Sequence, residues 1–313
     1  MVPSAVTLAA VVLCAALFVD RLVGDPHSRY HPVALLGSFI GIWGRPEYYP
    51  QKLQRVTGIL FWTLTVFLFT LPFYLVTAIA PWYLYLLLAP FLLKCCFAWR
   101  SLEEHTQAVV SGMDMGVETS RENARLLVSR DTSALDRDQL LSAGYESLTE
   151  NLTDSIIAPL FYFSLFNLAG AAACRAINTM DAMLGYRDER ERLGWCAARM
   201  DDVLNFIPAR ITVLLLLIWF GSRGTFSRAW HVLRRDGNKR PGFNGGIVMA
   251  AMSGGTGTRF EKPGVYIIGD GDRTLDEGGA DILKAARAVS LMYAVFAICT
   301  LFLLGTMINN IGI

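Results

Sequence analysis

Charge of one sign is what this chain most clearly lacks. Its 28 Lys and Arg against 27 Asp and Glu leave a formal net charge of +1 over 313 residues. The basic residues are scattered between apolar blocks and form no patch, which argues against a nucleic-acid partner. Histidine is scarce at four, and the six cysteines (Cys14, Cys95, Cys96, Cys174, Cys196, Cys299) form no CxxC pair at zinc spacing. A metal–thiolate centre is therefore disfavoured, and the thiols read as reduced and buried beside apolar segments. Three further patterns are absent: the GxGxxG dinucleotide fingerprint, the Gly-Lys-Ser/Thr ending of a Walker loop, and any Ser/His/Asp or Cys/His nucleophile arrangement.

Long apolar blocks are what the chain has instead. Apolar residues make up 53% of it and the mean hydropathy is +0.40. Residues 1–19 carry no charge, and further uncharged runs cover 56–93, 155–174 and 288–313. A membrane helix needs about 20 such residues. The pattern predicts an all-α, multi-pass integral membrane bundle in one membrane domain. The expected membrane segments are about 1–19, 56–79, 82–98, 155–174, 203–222 and 287–309. Polar regions are expected at 20–55, 99–154, 175–202 and 223–286. The N-terminal block has no basic n-region or small-residue cleavage site, so it reads as a retained helix. Pro72 and Pro90 fall inside helices that neighbours in lipid can accommodate.

All four polar regions are basic, and basic loops favour the cytoplasmic face. Successive simple crossings would alternate that face. The 56–93 block solves one junction by crossing twice, with a turn at Ala80-Pro81. The blocks at 155–174 and 203–222 then read as broken or re-entrant helices, with cytoplasmic helical and loop regions around them; the alternative is simple crossings that leave one polar loop on the outer face. The second block contains Asn205, Pro208 and Arg210, and Pro208-Ala209-Arg210 is where it is expected to break.

Four polar clusters lie against the apolar blocks, where charge is expensive. The first, at residues 20–40, carries Asp20, Arg21, Asp25, His27 and His31 among the turn signals Gly24-Asp25-Pro26 and His31-Pro32. In the second, Glu146, Glu150 and Asp154 at i, i+4 and i+8 share one helix face, with Asn151 one position away. Carboxylates so spaced repel unless a cation or a basic partner lies between them, and magnesium suits such oxygen ligands. The third places Asn178 and Asp181 on a short helix stopping at Gly185, with Arg187 in reach of an anion near that end. The fourth holds Arg199, Asp201, Asp202, Asn205 and Arg210, which suggests an ion-paired polar pocket. Each cluster also has a plainer reading, as a solvated face or a salt bridge holding the bundle. A fifth stretch, 253–260 (SGGTGTRF), resembles a phosphate-cradling glycine loop only loosely.

Taken together, these clusters resemble the adenosylcobinamide-phosphate synthase family of cobalamin biosynthesis. D-R-L-V-G-D-P followed by H-P-V is similar to its N-terminal signature, and S-R-D-T-S-A-L at 129–135 to a short segment with glycine at the position of Ser129. The matching positions continue through Glu146, Glu150, Asn151, Asp154, Ala158, Pro159 and Leu160, then Asn178, Thr179, Asp181, Gly185, Tyr186 and Arg187. They end with Arg199, Asp201, Asp202, Asn205, Pro208 and Arg210. The 250–270 stretch departs from the family's glycine-rich pattern but keeps Pro263 and Tyr266.

The resemblance implies a membrane enzyme that joins (R)-1-amino-2-propanol, or its O-phosphate, to the propionate of adenosylcobyric acid with ATP and Mg2+. A carboxylate is a poor electrophile, so it would be activated before the amine attacks. Chemistry then suggests the roles. Glu150, Asp154, Asp181, Asp201 and Asp202 are candidate magnesium ligands. Arg187, Arg199 and Arg210 would bind phosphate or carboxylate, with Asp25 and Tyr186 beside them in the substrate site. Asn151, Asn178 and Asn205 would orient the reactants, and His31 would carry a proton. Association with other corrinoid-pathway enzymes and a site on the cytoplasmic face of the cell membrane are further expectations. The competing readings are a membrane sensor on the same scaffold and a small-molecule transporter. Retention of all the motifs argues against the first, and the lack of an inverted repeat against the second.

Overall fold

The computed structural model describes residues 4–25, 28–128 and 130–311. Pro26, His27 and Ser129, singled out above, lie outside the described residues. Among those described, five helices are long and apolar enough to cross a membrane, or six if Trp195–Leu204 and Phe206–Ser222 form one bent span. This is the multi-pass helical protein that the uncharged blocks predict. The chain's contacts divide it into two units. One comprises 1–98, 158–205 and 294–313, and the other 99–157 and 206–293.

The first unit opens with α1 (Ala5–Val23), capped by the Ser4 hydroxyl, which accepts from Thr7 N–H. Gly24, at φ 69°, ends it, a conformation that favours glycine. The short apolar helix α2 (Pro32–Trp43) follows within the region expected to be polar, and is too short to span. Then come α3 (Gln54–Ile79) and α4 (Trp82–Lys94), separated at Ala80-Pro81 as expected. On α3, Leu60, Phe67 and Tyr74 are exposed, which is the surface a lipid-facing helix presents. Leu36, Ile40 and Trp43 pack with Ala176, Ile177, Met180, Leu184 and Leu193 in the core of this unit. Trp43 stacks on Phe61 with ring centroids 5.4 Å apart. All six cysteines are free; Cys96, Cys174 and Cys196 are buried, whereas Cys14 and Cys299 lie on exposed helix faces.

The block at 155–174 is broken, as expected. It lies within α8 (Ala158–Leu184), where Phe166 and Asn167 leave helical geometry and Asn167 adopts φ 55°. Asparagine tolerates that region because its short side chain can bond locally. Here Asn167 Oδ1 accepts from Leu168 N–H and from the Tyr85 hydroxyl, each at 2.7 Å. Trp195–Leu204 forms α9 and Phe206–Ser222 forms α10, and the interruption falls at Asn205 rather than at Pro208. Pro208 sits in the first turn of α10, where its missing N–H removes no helical hydrogen bond.

The second unit contains α5 (Trp99–Met115), α6 (Val117–Arg125) and α7 (Arg137–Leu152), the last opening with a capping box at Asp136 and Gln139. Arg121 donates to Thr132 O and Leu135 O, and Arg125 to Thr132 Oγ1, fixing the Asp131–Leu135 turn. After a wide turn at Thr153–Ile157 the chain leaves this unit. It returns with α10, α11 (Phe226–Asp236) and the buried α12 (Gly245–Thr256). A two-stranded antiparallel hairpin, β1 (Phe260–Lys262) and β2 (Tyr266–Ile268), precedes α13 (Leu275–Ile311).

Glycine lets α12 approach its neighbours. A Cβ on Gly255 would lie 2.2 Å from the Phe220 ring. Gly255→Ala should therefore destabilise the protein by about 1–3 kcal/mol. Gly221→Ala, with nothing nearer than 4.0 Å, should leave the melting temperature of the solubilised protein unchanged.

Asp236 joins α11 to the end of β2. Its buried carboxylate accepts from Lys239 Nζ at 2.7 Å, Arg235 Nε at 2.8 Å and Gly269 N–H at 2.9 Å. Burial alone would raise its pKa, but these cationic and amide donors hold it far below the usual carboxylate range. A depressed folded pKa contributes stability above the unfolded value of about 3.9, and that stability is lost as pH falls below it. Melting curves from pH 6 to pH 2 should show a steeper acid decline for the parent than for Asp236→Asn.

Candidate functional site

Each unit gathers its own polar groups. In the first, Gly24 turns the chain at the end of α1 so that Asp25 comes back towards the last turn of α4. There the Lys94 ammonium pairs with Asp20 at 3.0 Å and Asp25 at 2.6 Å, and donates to Phe97 O at 3.3 Å. Asp20 is fully buried and Lys94 nearly so. Burying Asp20 and Lys94 is costly, and this geometry compensates it because the cation is shared by both acids. His31 caps α2, its Nδ1 accepting from Val33 N–H at 3.3 Å, while its Nε2 is 4.0 Å from Asp25 Oδ1. Burial pushes the His31 pKa down, Asp25 opposes this, and Lys94 and Arg175 add to the depression.

The end of α8 meets α9 around Asp201 in the same unit. Asn205 Nδ2 donates to Asp201 Oδ2 at 3.0 Å, and the Asn178 side chain lies near enough to act on the same carboxylate. Asp181 and Asp202 lie near enough for their charges to interact with it. Thus Asn178, Asp181, Asp201 and Asn205 are brought together, with Asp202 beside them. Gly185 is required here: it follows α8 as expected, and a Cβ on it would lie 2.0 Å from Asp181 Oδ1. Arg187 is exposed beyond that end, while Tyr186 lies under the Arg190 guanidinium at 3.9 Å. Arg199 is exposed and 3.8 Å from Asp202, its neighbour one turn along.

In the second unit, α7 carries Glu146, Glu150 and Asn151, and Asp154 falls on the wide turn that follows. Basic partners answer the first two carboxylates. Glu146 accepts from Ser142 Oγ at 2.5 Å, Tyr266 OH at 2.6 Å and Arg130 Nη2 at 3.3 Å. Glu150 pairs with Arg240 Nη2. Burial would lower the Arg240 pKa, but Glu150 chiefly raises it, with Tyr266 and Asp154 adding to that. Asn151 donates to Ser147 O at 3.0 Å and accepts from Ser155 at 3.0 Å.

Two readings of the sequence change. Arg210 does not form the ion-paired pocket expected with Asp201 and Asp202. It donates instead to Asn244 Oδ1 at 2.7 Å and to the carbonyls of Phe206 and Phe243 at 3.0 and 3.3 Å. Arg210 finds its acceptors within its own unit, on the first turn of α10 and at Phe243 and Asn244. The glycines of 253–260 do not cradle a phosphate either. They end α12, so the backbone groups presented are carbonyls, which repel an anion. Arg228 donates to Gly254 O and Gly255 O, and Arg273 to Thr256 O.

Among the described residues, no three His, Cys, Asp or Glu side chains form an ion-binding group. Magnesium rarely needs one, because it takes one or two carboxylates and completes its shell with water and substrate phosphates. Asp181 and Asp201, with the Asn178 and Asn205 amides, fit that requirement. Lys94, Arg130, Arg240, Ser142 and Tyr266 were not foreseen as site residues. Two of them left a trace in the sequence: Lys94 closes an uncharged run of 38 residues, and Tyr266 survives in the altered 250–270 stretch.

The fold and these clusters define a multi-pass membrane protein whose carboxylates and amides are grouped at helix ends and breaks. The model of the family described as CobD/Cbib protein matches residues 13–292, and the chain belongs to that family. It is 41% identical over 300 residues to the probable cobalamin biosynthesis protein CobD of Thermococcus kodakarensis, covering 95% of this chain and 97% of that protein. The corresponding protein of Methanothermobacter thermautotrophicus is 38% identical over 295 residues, covering 92% and 95%. The cobalamin biosynthesis protein CobD of Dehalococcoides mccartyi is 36% identical over 274 residues, covering 84% and 88%. No solved structure matches the chain.

Removing one of three donors from the buried Glu146 carboxylate leaves it short of a hydrogen bond. Tyr266→Phe should lower stability by about 1–3 kcal/mol, read by thermal denaturation of the solubilised chain. The double variant with Glu146→Gln should recover part of that loss, because the neutral amide no longer demands the phenol.

Proposed function

We propose that this protein is an ATP-dependent amide ligase of cobalamin biosynthesis. It joins (R)-1-amino-2-propanol, or its O-phosphate, to the free propionate of adenosylcobyric acid. The cobalamin-biosynthesis names of the relatives support the pathway, and the ordered motifs support the reaction. The observation that carries the chemistry is the grouping of Asn178, Asp181 and Asn205 around Asp201.

Amide formation makes a bond from the amine nitrogen to the carboxyl carbon. One carboxylate oxygen must leave, and it does so as phosphate once the carboxylate has been activated with ATP. Asp181 and Asp201 hold Mg2+, with Asp202 supporting them. When bound, that ion neutralises phosphate charge and stabilises the charge developing during transfer. Asn178 and Asn205 fix the direction of the Asp201 carboxylate. Arg187, exposed beyond α8, reaches a phosphate of the substrates, and Arg199 stands beside Asp202 for the same purpose. Asp25 and Tyr186 bound the substrate site of this unit. In the other unit, Asp154 and Asn151 are the polar groups on and beside the wide turn, Glu150 acts by holding Arg240, and Arg210 by holding Asn244. The enzyme works in the cell membrane with its chemistry on the cytoplasmic side, where ATP and corrinoid-pathway enzymes are available to it.

A turnover assay on reconstituted protein tests this. With ATP, Mg2+, adenosylcobyric acid and either amine, a corrinoid heavier by one amide-linked unit is expected. Asp202→Asn and Asp154→Asn should each reduce turnover at least about 100-fold while remaining in the membrane fraction. Near-parental turnover in either variant removes that residue from the site.

A further inference from the structure

Two buried nitrogen donors in the first unit lack an acceptor. His31 Nδ1 accepts from Val33 N–H, so in the neutral ring the proton is on Nε2. That Nε2 is buried and has no hydrogen-bond partner. Asp25 Oδ1, at 4.0 Å, is beyond hydrogen-bond reach. On α8, Arg175 Nε is likewise buried and without a partner. Helix α2, which His31 caps, packs against α8, which carries Arg175, and Asp25, Lys94 and Arg175 all lie near enough to act electrostatically on His31.

The charges in this cluster are unevenly matched. Lys94 engages both aspartates and a carbonyl directly. Arg175 is near Asp25, yet among the described residues no carboxylate is in ion-pair contact with it. Buried polar groups are nearly always satisfied, and a guanidinium N–H and an imidazole N–H left open in one cluster require acceptor oxygens. An oxyanion supplies them and also compensates the arginine charge.

We propose that His31 Nε2–H and Arg175 bind an oxyanion of the substrates, a carboxylate or a phosphate group, with Lys94 offsetting the charge of Asp20 and Asp25 nearby. This rests on the ligase reading, which supplies both kinds of oxyanion. It also changes the role of His31. With its proton on Nε2 and its other nitrogen occupied, the ring donates to an oxygen instead of taking a proton from the attacking amine.

The test uses the full chain in nanodiscs, with KM and kcat measured for each substrate in turn. Arg175→Ala and His31→Ala should each raise KM for one substrate about tenfold. Arg175→Lys, which keeps the charge but loses the Nε–H, should follow the same substrate and guards against misfolding of the alanine variant. His31→Gln, which retains a side-chain N–H, should stay within about threefold of the parent. A KM effect with aminopropanol phosphate that vanishes with aminopropanol identifies the phosphate of that substrate. An effect on adenosylcobyric acid with either amine identifies its carboxylate, and an effect confined to ATP identifies the nucleotide. Unchanged KM for every substrate in Arg175→Ala and His31→Ala, in protein melting like the parent, overturns the proposal and leaves the ligase standing. If the parent makes no amide product, the ligase reading fails and inorganic phosphate and propionate become the probes. A rise in melting temperature with either probe in the parent, absent from Arg175→Ala, retains the oxyanion site, and no rise with both rejects it.

Discussion

Lys94 closes an uncharged run of 38 residues, and its buried ammonium is shared by Asp20 and Asp25. An ion pair this deep is expensive to form and more expensive to break, because either partner left alone is a buried, uncompensated charge. The first unit is arranged around that constraint. Gly24 must turn the chain to return Asp25 to Lys94, and His31 must cap α2 immediately afterwards. The polar groups at this end of the unit are consequently held in place by the same contacts that hold α1 to α4.

The second unit obeys the same rule with different residues. Glu146 and Glu150 lie one turn apart on α7, and like charges so spaced oppose the helix. Arg130, Tyr266 and Arg240 relieve this, each from a different part of the chain. Gly254 and Gly255 serve close packing here. They let α12 lie against α11 and the Phe220 ring, and its terminal carbonyls are capped by arginines. A glycine-rich loop at a helix N-terminus would present N–H groups to an anion, whereas this one, at a C-terminus, presents oxygen.

Helix breaks connect this packing to chemistry. Asn167 interrupts α8, its side-chain oxygen accepting from the freed Leu168 N–H and from the Tyr85 hydroxyl. Asn205 interrupts the chain between α9 and α10 while bonding Asp201. At the first break the asparagine side chain replaces a lost helical bond, which water cannot do at membrane depth; at the second it orients a carboxylate. Polar groups therefore accumulate where the backbone already departs from the helix, and the Asp201 cluster stands at one such place.

The helical membrane class, the α3–α4 turn, the break within 155–174, the stop at Gly185 and the four polar clusters were all legible in the sequence. Each depends on local signals: uncharged length, proline and glycine punctuation, and charge beside apolar blocks. Nearest-neighbour spacing also brought Asn178 and Asp181 to one helix end. Pairing across the chain was not legible. Arg210 joins Asn244 rather than the nearby aspartates, Glu150 finds Arg240 ninety residues away, and Lys94 reaches back to Asp20 and Asp25. A sequence fixes which groups are too costly to bury alone, because that cost belongs to the group. The partner that meets the cost is decided only by which helices pack together, and that is a property of the tertiary structure.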